Sequence, residues 1–370
     1  MLNTRILVVD DASLFRRVVT EALSGVPGVE VVGSASNGRL ALSRLAELKP
    51  DIMTLDIEMP EMSGLDVLEA MRGVPGAPNV IVLSAQTVRG SQLTIRALEL
   101  GAFDFITKPD GGSPSENLAR LRDCLRPLIQ ALARKREIRS ILGASATLSA
   151  PAARPVLPVS PVRAHANGRN GQPIVLIGVS TGGPTALAQV IPLFPAKIGA
   201  PVFIVQHMPP HFTEALAQRL NSQSALQVTE ARNGEVAQPD CVYIAPGGRQ
   251  MKLAPGASGE ITIRITDDPP ENSCRPAVDY LFRSAATYFP GRSIAAVLTG
   301  MGCDGTEGMR LLKRTGSLNI AQDEASCVVF GMPREAIHAG IVDSVVPLGR
   351  IAESILKGLA EMRNATEVRT

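Results

Sequence analysis

The sequence predicts an α/β chain of two domains: a doubly wound sheet of five parallel strands, then a second α/β domain with a mainly parallel sheet. Three observations carry this. Over residues 1 to about 110, short β-branched runs alternate with amphipathic stretches, the pattern of strands and crossover helices. The alternation stops between Gly143 and Gly171, where Ala, Ser, Pro and Gly dominate. It resumes at Ile174, and 370 residues suit about two domains of ordinary size.

The first five strands are read at Ile6-Leu7-Val8-Val9, Val29-Glu30-Val31-Val32, Ile52-Met53-Thr54-Leu55, Val80-Ile81-Val82-Leu83 and Phe103-Asp104-Phe105-Ile106. A fifth helix follows, with Leu118, Leu121, Leu125, Leu128, Ile129 and Leu132 at helical spacing. Its basic tail, Arg134-Lys135-Arg136-Glu137-Ile138-Arg139, reads as a solvated helix end favoured by the macrodipole. Prolines at 151, 155, 158 and 161 then mark an extended, mobile linker. Later strands are expected at Ile174–Val179, Val202–Gln206, Leu226–Glu230, Cys241–Ala245, Ile294–Leu298 and Asn319–Ala321. A hairpin is expected where Lys252-Leu253 and Ile261–Ile265 flank Pro255-Gly256-Ala257-Ser258-Gly259. The last helix is read from near Arg350 to Met362, with a polar, frayed tail. The domain boundaries are 1–125, a helix end and linker over 126–171, and 172–362.

Composition excludes several function classes. The formal net charge is +2, from 37 basic and 35 acidic residues, which leaves no electrostatic footprint for nucleic acid or an anionic membrane. Aromatics make up 3% and Trp is absent, against a stacking platform for single strands. No apolar run approaches the roughly 20 residues of a membrane span, and no secretory signal is visible. The five cysteines are odd in number and form no CxxC pair, which argues against a disulfide framework or zinc site and fits a reducing cytoplasm.

The first domain gathers acidic groups. Asp10 and Asp11 end the first strand, Asp56 the third, Ser84 the fourth and Lys108 the fifth. In a doubly wound sheet these carboxyl ends share one edge. Three carboxylates crowded there repel one another unless a cation joins them, and oxygen ligands with room for water suit Mg²⁺. A magnesium-bound aspartate can attack a phosphoryl donor to form an acyl phosphate. Lys108 can pair with the phosphoryl oxygens and Ser84 can hydrogen-bond to them. The bland reading is an acidic loop cluster without chemistry.

The second domain places a serine, a histidine and an aspartate where strands run into turns. Ser180 follows Ile174-Val175-Leu176-Ile177 and precedes Gly182-Gly183. There, backbone N–H groups of a helix N-terminus can stabilise an oxyanion. Alone, Ser180 reads as an N-cap. A phosphate loop is the other alternative, but the P-loop Lys is missing and His207, not an acidic residue, ends the next strand. Of four histidines, His165 lies in the linker, His211 starts a helix and His338 lies near the end of another; only His207 ends a strand facing Ser180. Asp304 opens Asp304-Gly305-Thr306-Glu307, which alone reads as a capping box. Together the three make an acyl-transfer constellation. Their Ser, His, Asp order is not that of the α/β-hydrolases.

These motifs resemble two known families. Leu7-Val8-Val9-Asp10-Asp11, Leu55-Asp56-Ile57-Glu58-Met59-Pro60, Gly64, Ser84-Ala85 and Lys108-Pro109 resemble the response-regulator receiver domain, over about 1–125. That resemblance implies a flavodoxin-like fold, Asp56 as phosphoacceptor, Asp10 and Asp11 as Mg²⁺ ligands with it, Ser84 as switch hydroxyl and Phe105 as switch aromatic. Gly178-Val179-Ser180-Thr181-Gly182-Gly183-Pro184, Gln206-His207-Met208-Pro209, Leu298-Thr299-Gly300-Met301-Gly302-Cys303-Asp304-Gly305 and Gln322–Pro333 resemble the protein-glutamate methylesterase family of bacterial chemotaxis, over about 172–360. It implies Ser180 as nucleophile, His207 as general base and acid, Asp304 as orienting carboxylate and the Met301 N–H as oxyanion donor, with no esterase cofactor. Departures from the family pattern at Val179, Cys303 and Ala277 leave the triad untouched.

The implied protein is a cytoplasmic, phosphorylation-activated hydrolase. It would demethylate glutamate γ-methyl esters on chemoreceptors, release methanol and deamidate certain glutamines. A chemotaxis histidine kinase would be the phosphodonor, and the receiver is expected to mask the hydrolase until phosphorylated. A non-catalytic output module and a DNA-binding regulator are the rival readings, opposed by the triad and by the near-neutral charge.

Overall fold

The computed structural model describes residues 3–145 and 171–367. Contacts divide the chain into two compact units, Met1–Pro158 and Val159–Thr370. The Pro-rich segment and His165 lie outside the described residues.

The N-terminal unit contains β1 (Thr4–Val9), α1 (Ser13–Ser24), β2 (Val29–Ala35), α2 (Gly38–Leu48), β3 (Ile52–Asp56), α3 (Gly64–Met71), β4 (Asn79–Ser84), α4 (Val88–Glu99), β5 (Asp104–Thr107) and α5 (Pro114–Ser145). The strands pair in parallel in the order β2-β1-β3-β4-β5. The chain starts at an interior strand next to the edge, adds β2 on one side and then β3, β4 and β5 on the other. Strands such as β3 are apolar on both faces because helices cover both, so Ile52, Met53 and Leu55 are all buried. Leu121, Leu125, Leu128, Ile129 and Leu132 of α5 pack with Val19, Ala22 and Leu23 of α1 in one core, as their spacing predicts. The helix continues through Pro127 to Ser145, so the first part of the segment read as helix end and linker is helical.

The C-terminal unit contains β6 (Ile174–Val179), α6 (Gly183–Val190), β7 (Val202–Gln206), α7 (Phe212–Asn221), β8 (Gln227–Glu230), β9 (Cys241–Ile244), β10 (Gln250–Pro255), β11 (Ile261–Thr266), α8 (Val278–Tyr288), β12 (Ser293–Val297), α9 (Thr306–Arg314), β13 (Leu318–Gln322), α10 (Met332–His338), β14 (Ser344–Val346) and α11 (Ile351–Glu367). Seven strands form one sheet in the order β14-β13-β12-β6-β7-β9-β8, and each of its pairings is parallel. The expected hairpin is β10–β11, an antiparallel pair standing apart from that sheet.

Two features differ from the sequence reading. β14 was not anticipated: Ser344–Val346 has only three residues, too few for a periodic signal, and pairs only at the sheet edge with β13. The tail after Met362, expected to fray, continues α11 to Glu367. Arg363 and Asn364 are exposed yet still helical, so polar composition there does not mark the end of the backbone hydrogen-bond ladder.

Candidate active site and receiver pocket

Strand order brings the predicted hydrolase residues together. β6 lies between β7 and β12, with Val179 beside Gln206 and Gly178 beside Val297. The loops leaving these three strands carry Ser180, His207 and Asp304. Ser180 N–H donates to Thr299 O at 3.0 Å, and His207 N–H to Val179 O at 3.2 Å. Buried Gln206 ties the loops, its Nε2 donating to Ser180 O at 3.0 Å and to His207 O at 3.2 Å.

Two glycines permit the close approach. Gly182, the N-cap of α6, has φ +75°, a conformation glycine adopts without strain. A Cβ on Gly300 would lie 2.4 Å from Met332 Sδ and 2.8 Å from Ser180 Cβ. The N-cap reading of Ser180 is not met, since no side-chain cap serves α6.

The His207 ring is anchored through one nitrogen. Its Nε2 lies 2.8 Å from Asp304 Oδ2, leaving Nδ1 as the other ring nitrogen. Asp304 is buried and heavily supplied with donors. It accepts from Val278 N (2.7 Å), Asp279 N (3.0 Å), Gly305 N (3.0 Å) and Asn272 Nδ2 (2.9 Å). The capping box predicted for Asp304 on its own helix does not form; α9 has no side-chain cap. Asp304 instead caps the N-terminus of α8, a helix distant in sequence, where free N–H groups favour negative charge. Burial alone would raise its pKa, but the bonds from His207, Asp279 and Val278 hold it below the usual carboxylate range. Burial likewise disfavours a charged His207, yet Asp304 and Cys274 outweigh it and lift the imidazole to about 9.

Asn272, Cys274 and Asp279 were missed by the sequence reading. Asn272 Nδ2 bridges Asp304 Oδ1 and Asp279 Oδ2, each at 2.9 Å. Asp279 also accepts from Gly308 N at 2.7 Å, and burial pushes its pKa up to about 6. Cys274 Sγ lies 3.6 Å from His207 Nδ1. The segment Asn272-Ser273-Cys274-Arg275-Pro276 carries no periodic pattern, so no signal pointed to it. Gly300 N–H bonds to Val329 O, whereas the Met301 N–H has no intramolecular partner among the described residues.

The receiver residues converge at the opposite kind of site. Asp10, Asp11 and Asp56 each place a carboxylate oxygen within 4.8 Å of the others. Lys108 Nζ bonds Asp10 Oδ2 and Asp56 Oδ2, both at 2.7 Å. A cavity of about 200 Å³ is lined by Asp56, Ser84 and Lys108 among others. Burial raises the Asp56 pKa to about 6 despite Lys108, and Asp10 adds to the rise. Ser84 Oγ accepts from Thr94 Oγ1 at 2.7 Å and contacts Gly90 O at 3.3 Å. Phe105 is partly buried on β5. Three carboxylates facing one lysine leave negative charge that a divalent cation would offset, and all-oxygen donors fit Mg²⁺.

The CheB methylesterase family model matches residues 175–355, and the response regulator receiver domain model matches residues 6–117. A protein-glutamate methylesterase/protein-glutamine glutaminase of Desulfotalea psychrophila is 47% identical over 96% of this chain and 98% of its own length. The chain belongs to this methylesterase/glutaminase family. A second member, of Bacillus subtilis, is 42% identical over 95% of the chain and 97% of its own length. The Thermotoga maritima CheB methylesterase catalytic domain, a crystal structure, is 44% identical and superposes with a TM-score of 0.50 over 50% of this chain and 98% of its own. In this chain the methylesterase match follows the receiver match. No helix among the described residues is long and apolar enough to cross a membrane.

Proposed function

We propose that this chain hydrolyses glutamate γ-methyl esters on chemoreceptors and deamidates receptor glutamines, with Ser180, His207 and Asp304 as its triad. The observation that carries the residue assignment is the partly buried His207–Asp304 hydrogen bond of 2.8 Å beside the Ser180 loop. Asp304 holds Nε2–H, so Nδ1 is the nitrogen that takes the Ser180 proton. Ser180 Oγ then attacks the γ-carbonyl carbon. The Met301 N–H, on the loop whose Gly300 packs against Ser180, stabilises the oxyanion. His207 returns the proton to the leaving oxygen, and methanol departs. Water, deprotonated by His207, hydrolyses the acyl-enzyme to free glutamate. A glutamine amide follows the same course with ammonia as leaving group.

The receiver controls this activity. Asp56 is the phosphoacceptor; Asp10, Asp11 and Asp56 would hold Mg²⁺, which neutralises phosphoryl charge when bound. Lys108 pairs with the phosphoryl oxygens, and Ser84 leaves its Gly90 contact to meet them, with Phe105 responding beside it. A histidine kinase supplies the phosphoryl group, and the setting is cytoplasmic. The receiver spans 1–125, a helix end and linker 126–171, and the hydrolase 172–362. The test is methanol release from methylated receptor membranes, with and without phosphodonor. Stimulated release supports the reading; no release from either preparation defeats it.

A further inference from the structure

Cys274 is delivered to the hydrolase site by a tight turn. Cys274 N–H donates to Glu271 O at 2.7 Å, and Glu271 N–H donates back to Cys274 O at 3.1 Å. Asn272 and Ser273 between them have φ of 50° and 63°, as a type I′ turn requires. This double closure fixes the Cys274 backbone. Its thiol is in no disulfide, is partly exposed, lies 3.6 Å from His207 Nδ1 and also contacts Asn272 O at 3.4 Å.

The geometry has the dimensions of a metal clasp. Tetrahedral zinc, with Zn–S about 2.3 Å and Zn–N about 2.0–2.1 Å, sets its sulfur and nitrogen about 3.6 Å apart. The observed separation is the same. The opposite nitrogen of the ring, Nε2, is held by Asp304, the outer carboxylate that orients metal-bound imidazoles and aims the other lone pair at the ion. Thiolate with imidazole prefers zinc to magnesium, so the magnesium needed by the receiver does not compete here. Cys274 and His207 are 67 residues apart, which is why cysteine spacing pointed away from a zinc site.

We propose that Cys274 Sγ and His207 Nδ1 form a reversible, inhibitory Zn²⁺ site. Binding breaks the Cys274 S–H bond and, where the ring is an imidazolium, the His207 Nδ1–H bond; these protons pass to solvent, sulfur and nitrogen each donate one lone pair, water completes the tetrahedron and nothing is oxidised. With Nδ1 occupied, Ser180 has no base.

The inhibition rests on His207 being that base, whereas the binding does not, so two readouts separate the two ideas. The full chain is titrated with Co²⁺ as a spectroscopic stand-in. Expected is a thiolate-to-cobalt charge-transfer band that zinc displaces and that Cys274→Ser and Cys274→Ala both lack. The acidic receiver cluster has no thiolate and stays silent in this readout. In parallel, Zn²⁺ is titrated into the basal methanol-release assay, each protein normalised to its zinc-free rate. Inhibition reversible by EDTA is expected, with the half-inhibitory concentration raised at least about tenfold in both variants, the scale on which loss of a metal-site partner acts. A band that persists in both variants, or wild-type zinc sensitivity in both, overturns the proposal.

Discussion

Asp56 and Asp304 are both buried carboxylates at or beyond the carboxyl ends of parallel strands, yet their ionisation is pushed in opposite directions. Burial raises both. For Asp56 it wins: Lys108 is the main compensating partner, Asp10 repels, and the pKa rises to about 6. For Asp304 it loses to His207 and the α8 backbone N–H groups, and the pKa falls. The difference is the number of donors aimed at each carboxylate. A phosphoacceptor must keep an oxygen uncommitted for an incoming phosphoryl group. An orienting carboxylate must stay charged and still. Asp56 has a shared lysine and Asp304 a cage of fixed N–H donors, which suits each to the role proposed for it.

That contrast can be broken at either end. The largest effect is expected from Ser180→Ala, with methanol release falling roughly 10⁴- to 10⁶-fold. A near-normal rate would remove Ser180 as nucleophile. Asp304→Asn keeps the cage but discards the charge and the tautomer control, and a loss of about 10⁴ in kcat is expected. An unchanged rate would reduce Asp304 to a cap for α8. Asn272→Ala removes one bar of the cage and leaves Asp304 facing Asp279 directly. A roughly 10- to 100-fold fall is expected, mostly in kcat rather than KM, because the ring is misplaced rather than the substrate. A change confined to KM would make Asn272 a substrate contact instead.

At the other end, Asp56→Asn should abolish phosphorylation and leave the basal rate intact. What disappears is the activation, on the order of 5- to 150-fold for a coupling of this kind. Phosphate incorporated at another residue would refute the assignment. The smallest effect concerns pH. As the proposed base His207 acts only when neutral, so the basal rate should climb as pH rises through about 9. Its folded pKa is raised, so its contribution to stability is complete below its unfolded value of 6.5 and is lost as pH rises through about 9. Unfolding midpoints of wild type and His207→Gln across that window test the sign; parallel curves would contradict it.

The alternation of strands and helices is written in the hydrophobic pattern of the chain, and with it where the reactive residues fall. The runs ending at Asp56 and Ser84 are strands β3 and β4, and Ile174–Val179 and Val202–Gln206 are strands with the expected bounds. Local periodicity reports which residues face inward, and a parallel sheet collects its strand ends on one edge whatever the pairing. Strand order was decided only in three dimensions: β6 sits between β7 and β12, and that alone sets Ser180 between His207 and the Asp304 loop. The same holds for Asn272, Cys274 and Asp279. Their roles depend on one turn and one helix start meeting a carboxylate from a distant loop, and contacts between distant segments leave no periodic trace in the chain that makes them.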